Sequence, residues 1–345
     1  MDFSIALLLI QDGITNGAIY ALLALALVLV FTVTKIIFIP QGEFVAWGAL
    51  TLAAIQGGHF PGTSWILIFL GTATFIVDAM ACVKQSTYKG LPKSLANNFC
   101  FPLLLMFLLS QFDLVSVPLI FQILITLIII IPMGPMIYRV VYQPIADASV
   151  LVLLIISVAL HLAMTGIGLL VFGPEGSRTT AFTDFKINLG PLNIGGQSLV
   201  MVGVSVLLIA GLYLFFNRSL YGKALRATAL NRIGARLMGI SPTLAGKLTF
   251  LLAAFIGVIS GVLISPNTTI YYDSGFLVAL KGFVAAIIGG LSSYPIAALG
   301  AIIVGIIESF SSFWASAFKE VIVFTLIIPV LLWFSLRSHH LEDDE

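Results

Sequence analysis

Apolar runs follow one another along this chain with only short polar breaks, at 8–33, 42–56, 64–83, 99–112, 114–138, 149–172, 197–216, 248–265, 274–291, 293–310 and 319–336. A bilayer-spanning helix needs about 20 mostly apolar residues, and several of these runs reach that length. Inside lipid a single segment satisfies its own backbone polar groups only as a helix. Composition agrees. The 345 residues are 60% hydrophobic and 9% charged, and the mean hydropathy is +1.13. A soluble domain carries about 25% charged residues, so this chain lacks the polar surface to face water all round. The sequence predicts an all-α, polytopic transmembrane helix bundle of about 9–11 spans, forming one membrane domain over residues 1–345. The weakest run, 99–112, is counted as a span because losing it would break the charge parity upstream, with a re-entrant segment or part of one kinked helix with its neighbour as the alternatives. "MDFSIALLLIQDG" has neither a basic leader nor a small-residue cleavage site, so it reads as the start of the first span.

Lysine and arginine in short loops resist translocation and set orientation. With the N-terminus outside and the C-terminus inside, the inner side receives Lys35, Lys84, Lys89, Lys93, Arg139, Arg337 and six cations from 218–247. Those are twelve of the sixteen basic residues. The outer side receives Arg178, Lys186 and Lys319. The polar outer segment 173–196 reads as turns or a short hairpin. Gly13-x-x-x-Gly17 and Gly257-x-x-x-Gly261 each set two small residues on one helix face, which lets another backbone approach closely.

"RSLYGKALRATALNRIGARLMGISPTLAGK" (218–247) is basic, has no acidic residue and is too polar to span. Residues 225–238 carry a helical pattern. Leu230, Ile233 and Leu237 form an apolar stripe, and Arg232 and Arg236 stand on another face. Asn231 is a local cap, Gly239 suits a left-handed stop, and Pro242 prevents resumption. So short a helix is marginal in water alone. Its stripe needs a groove in this chain, at the membrane surface or on a partner. The positive-inside rule by itself accounts for the arginines. No base-reading pattern points to nucleic acid. "LAGK" lacks the leading glycine and the following Ser or Thr of a phosphate loop.

Ionisable residues inside spans are costly, about 3 kcal/mol each at the bilayer centre, and are functional candidates. Lys281 and Glu308 lie within spans, as a structural ion pair or as part of a translocation path. Glu43 and Asp78 fall near the inner ends of their helices, within reach of water. Cys82 and Cys100 lack metal or redox spacing, and His161 and His59 stand isolated in sequence. An intramembrane enzyme finds no Gly-x-Ser-x-Gly elbow or catalytic metal spacing. An ion-coupled secondary transporter using Lys281, Glu308 and Asp78 is the other alternative.

The chain resembles the membrane permeases of branched-chain amino acid ABC importers. "NGAIYALLALALVLVFTVTKIIFIPQGEF" (16–44) is similar to that family's N-terminal run. Gln41, Gly42 and Glu43 match its end, and Phe38 and Pro40 depart from it. "ALKGFVAAIIGGLSSYPIAALGAIIVGIIES" (279–309), which includes Lys281 and Glu308, and 219–263 are closely similar too. Residues 84–125 look like an insertion. The resemblance implies a half-transporter that binds no cofactor itself, with ATP and Mg held by partners. It implies two ATP-binding subunits, a second related permease or a second copy, an external substrate-binding protein, and a bacterial inner-membrane location. It makes 218–247 the cytoplasmic coupling loop, with Arg226, Ala227, Ala229, Leu230, Arg232, Ile233, Arg236, Leu237 and Gly239 in the ATPase-coupling element. Glu43, Lys281 and Glu308 become candidates for the translocation path.

Overall fold

The computed structural model of the chain describes residues 3–85, 90–183, 185–189 and 192–342; Lys89, assigned above to an inner loop, lies outside them. The first half runs α1 (Phe3–Thr34), α2 (Gln41–Gln56), α3 (Thr63–Gln85), α4 (Leu91–Leu95), α5 (Phe101–Gln111), α6 (Leu119–Ile130), α7 (Met133–Ile137) and α8 (Val150–Phe172). A two-stranded hairpin follows, β1 (Lys186–Leu189) antiparallel to β2 (Leu192–Gly195), with Lys186 opposite Gly195. The second half runs α9 (Gly196–Arg218), α10 (Leu220–Leu230), α11 (Arg232–Leu237), α12 (Pro242–Ile264), α13 (Ser274–Ile288), α14 (Tyr294–Trp314), α15 (Lys319–Thr325) and α16 (Ile327–Glu342).

Among the described residues, nine helical stretches are long and apolar enough to cross a membrane. The run at 99–112 is not fused to the run that follows it. It is the second half of a stretch from Leu91 to Gln111, which ends where Phe112 turns extended. Within that stretch a π-helical turn, Ala96–Cys100, joins α4 to α5. A second π turn, Tyr138–Tyr142, follows α7.

Helix α1 is the axis of the bundle. Residues 17–30 are buried on every face, as expected of a helix that is apolar all round. It packs against α9, α12, α13 and α14. Gly13 and Gly17 meet the backbone of α14 at Gly305, Ile306 and Ile302, and Gly257 and Gly261 of α12 meet α2 at Phe44 and Val45. Both Gly-x-x-x-Gly pairs therefore mark close helix crossings, as their spacing predicts. Peripheral helices expose Phe69, Phe107, Leu170 and Leu207, surface that only lipid or another membrane subunit covers without cost.

The two short helices have a common design. α2 has 16 residues and α13 has 15, too few to span about 30 Å of hydrocarbon. α2 begins in the interior, and Gly275 in the first turn of α13 is buried against it. Gln41 Nε2 donates to the carbonyl of Ala253, halfway along α12. At Gly42 and Gly275 the N-termini of α2 and α13 touch, backbone to backbone. The chain reaches these points through non-helical stretches at 35–40 and 265–273. Phe38 and Ile36 bury the first stretch within protein. The Ile36 amide finds the Thr34 hydroxyl, and the Ile39 amide finds the Ile37 carbonyl. Irregular backbone at membrane depth persists only under such cover.

Basic loops gather at one end of the bundle. Arg232 Nη1 donates to the carbonyl of Ala146, and Arg139 Nε lies 2.6 Å from Asp78. The hairpin and Arg178 lie at the other end, where the Arg178 guanidinium donates to the carbonyls of Pro266 and Asn267.

Candidate functional site

At the basic end, the stretch 218–247 folds as a chain of capped helical turns. Ser219 accepts from the Gly222 amide at 2.9 Å. Asn231 accepts from the Gly234 amide at 2.8 Å, and Ser241 caps α12. Asn231 is itself extended (φ −149°, ψ 100°), so the single helix expected over 225–238 is instead two, α10 and α11. The cap ended one helix in starting the next. Gly239 has φ +83°. Its amide donates to the Arg236 carbonyl, and the Ile240 amide donates to Ala235. That is a Schellman stop, for which glycine is the least strained residue.

The predicted stripe finds no groove in its own chain. Leu230, Ile233 and Leu237 are 88%, 75% and 83% exposed, and the adjoining Met238 is 83% exposed. Other members of the element are committed internally. Arg226 caps the end of α9 at the Phe216 carbonyl and the Asn217 side chain. Arg232 ties α11 to the loop after Tyr142. Ala229 packs beside Leu29 and Val33, and Ala227 is half-buried. Arg236 is exposed. The element is thus an apolar tip on a pinned base.

A cavity of about 790 Å³ opens near the other end, lined by Asp12, Asn16 and Tyr20 of α1, by Lys281, Glu308 and Glu320, and by apolar residues such as Leu277. Lys281 Nζ donates to Glu308 Oε1 at 2.5 Å and stands 3.2 Å from Glu320. The Tyr20 hydroxyl donates to Glu308 Oε2 at 2.6 Å. Lys319 lies 3.8 Å from Glu320. The expected two-residue pair is therefore part of a four-charge cluster at the wall of a polar cavity. Lys281 and Glu308 are nearly buried, and each has more than one partner, which is the condition for holding charges out of water. Glu320 lies in the first turn of α15, far along the chain in an unremarkable stretch, so no local pattern pointed to it.

The second buried charge is Glu43. It is wholly buried, not near water as expected, because α2 starts inside the bundle. Its Oε1 lies 2.9 Å from His161 Nδ1 of α8, and Thr165 donates to the same oxygen at 3.4 Å. Phe276, on the first turn of α13, stacks on the His161 ring at 4.4 Å. A carboxylate in the first turn of one helix and beside the start of another gains from both positive helix ends. His161 is thus not isolated; it joins α8 to the meeting point of the two short helices. Removing one partner of such a buried pair costs about 3 kcal/mol or more. His161→Leu is expected to lower the thermal unfolding temperature of the purified protein more than Glu43→Gln does. Combining the two should recover part of the loss. Strictly additive losses would show that the two groups do not depend on each other.

Asp78 pairs with Arg139 and accepts from Ser94 at 2.6 Å, away from the large cavity. Among the described residues no group of three or more His, Cys, Asp or Glu could hold a metal ion.

Residues 9–331 match the protein family described as the branched-chain amino acid transport system / permease component. The high-affinity branched-chain amino acid transport system permease protein BraD of Pseudomonas aeruginosa is 30% identical over 93% of this chain and 92% of its own length. The corresponding LivH protein of Escherichia coli K12 is 26% identical over 93% and 91%. A probable LivH permease of Methanocaldococcus jannaschii is 28% identical over 76% and 82%. No solved structure matches the chain. With nearly its whole length matched, this multi-pass membrane protein belongs to the family of branched-chain amino acid transport system permease components.

Proposed function

We propose that this chain is the permease subunit of an ATP-driven importer that carries branched-chain amino acids or related small polar solutes across a bacterial inner membrane. In this reading the basic end is cytoplasmic and the hairpin end is outside, following the distribution of Lys and Arg. Two ATP-binding subunits dock on α10 and α11, a second permease or a second copy completes the pathway, and an external binding protein delivers substrate to the end bearing the large cavity. The observation that carries the reading is the apolar tip Leu230–Ile233–Leu237–Met238, held rigid by caps and left uncovered. ATPase closure pushing on such a tip moves α12, which follows it directly, and through α12 the two short helices that meet at Gly42 and Gly275. The cavity with Lys281, Glu308 and Asp12 is where a zwitterion finds both signs of charge. Glu43 and His161 sit deeper, at the junction that must rearrange for access to alternate.

The test is uptake of labelled leucine, isoleucine and valine into proteoliposomes holding this chain with its purified partners. Accumulation is expected only with Mg-ATP inside and binding protein outside. Uptake by the chain alone, driven by an ion gradient, would overturn the proposal in favour of secondary transport.

A further inference from the structure

A second cavity, of about 330 Å³ and mainly apolar with a few polar groups, lies at the basic end among α3, the Leu91–Gln111 stretch, α7 and α12. Its polar lining comes from Thr74, Asn97, Asn98, Arg139 and Lys247, and its apolar lining includes Phe101 and Leu251. No Asp or Glu lines it. The nearest carboxylate, Asp78, has both oxygens engaged, one with Arg139 Nε and the other with the Ser94 hydroxyl. Lys247 makes no ion pair among the described residues. Two cations therefore face a half-open cavity with one acid behind them.

The cavity is also a built one. Asn97 and Asn98 ride on the π turn Ala96–Cys100, and Arg139 rides on the π turn Tyr138–Tyr142. Such turns are uncommon and occur often at functional sites. The first is fixed by close packing of the Asn98 carbonyl on Gly71. One wall belongs to the Leu91–Gln111 stretch. Depth matters as well. Lys247 is five residues into α12, about 7.5 Å along the axis at 1.5 Å per residue. That places Lys247 near the end of the helix, where its ammonium is within reach of the headgroup layer if α12 spans the bilayer.

We infer that this cavity binds the phosphate of an anionic phospholipid, with Lys247 and the free face of the Arg139 guanidinium on the phosphate oxygens, Asn97 on the glycerol region, and an acyl chain along Phe101 and Leu251. Basic pockets between transmembrane helices recognise anionic headgroups in this way. The apolar wall favours a lipid over a free phosphate, because a free anion gains nothing from Phe101.

The experiment uses the full-length chain, purified and delipidated, with lipid retention read by native mass spectrometry and stabilisation read by thermal unfolding. Phosphatidylglycerol is expected to be retained and to raise the unfolding temperature, whereas phosphatidylcholine and inorganic phosphate are not. Lys247→Gln should weaken phosphatidylglycerol retention by roughly fivefold or more, the scale of one cation at a charged headgroup. Lys247→Arg should keep it. Asn97→Leu, which leaves the charges in place, should weaken it less than Lys247→Gln does. Unchanged retention in Lys247→Gln would overturn the site. Equal effects of phosphatidylcholine would overturn charge recognition, and equal effects of inorganic phosphate would overturn the lipid as occupant.

Discussion

Leu237→Glu is expected to abolish recovery of the ATP-binding subunits with the tagged chain and to reduce ATP-driven uptake to background, while the chain still inserts and folds. Leu237 is 83% exposed in the isolated subunit, and surface substitutions of that kind usually change stability by no more than about 0.5 kcal/mol. Covered by a partner's groove, the same position would bury an unpaired carboxylate, a penalty of several kcal/mol. That difference separates a docking role from a merely topogenic one. If the segment only keeps itself on the cytoplasmic side, one added acid among six cations changes nothing. Gly239→Pro attacks the same element through the backbone. Proline fixes φ near −65° and has no amide hydrogen, whereas Gly239 sits at +83° and donates to Arg236. Its Schellman stop would be lost and the tip would change direction. Normal co-purification and normal transport in both variants would sink the coupling role.

Lys281→Met is expected to be the most damaging single change at the large cavity. It leaves Glu308 and Glu320 facing one another without their shared ammonium, at positions where Glu308 is nearly buried. Breaking a buried pair costs about 3–5 kcal/mol, so the yield of folded protein should fall as well as uptake. The decisive variant is Lys281→Met with Glu308→Gln, which removes both charges and leaves an amide for Tyr20 to meet. A structural role predicts recovery of stability and of transport together. A role in the path predicts recovery of stability, measured by thermal unfolding, without recovery of uptake. A reciprocal exchange, Lys281→Glu with Glu308→Lys, is a poorer test, because it would set a second carboxylate against Glu320.

What was legible in the sequence was local. Hydrophobic run length located the helices, and cap chemistry located the turns around Gly239 and Pro242, because each signal sits within a few residues of what it specifies. Asn231 shows the limit of that reading. Its capping role was visible, but not that the same residue, extended at φ −149°, would also break α10 from α11, nor that Arg232 would then reach back to Ala146, 86 residues away. The site was legible only as separate charges. His161 meets Glu43 across 118 residues of chain, and Tyr20 meets Glu308 across 288. No periodicity carries that information. The start of α2 inside the bundle was hidden for a related reason. A 16-residue apolar run looks the same whether it begins at the membrane surface or halfway through.

The contact between Gly42 and Gly275 limits how this protein can vary. A Cβ at Gly42 would lie 2.2 Å from the Gly275 carbonyl oxygen, and one at Gly275 would lie 1.9 Å from that of Gly42. Elsewhere in a packed interior, a larger residue on one side of a contact can be accommodated by trimming its neighbour. Here neither side has anything to trim. A genetic screen for second-site suppressors of a Gly42 substitution therefore has no remedy to find at position 275. Rescue would have to come from moving a helix, so suppressors should map to the residues that set the spacing of α2, α12 and α13 rather than to the point of damage.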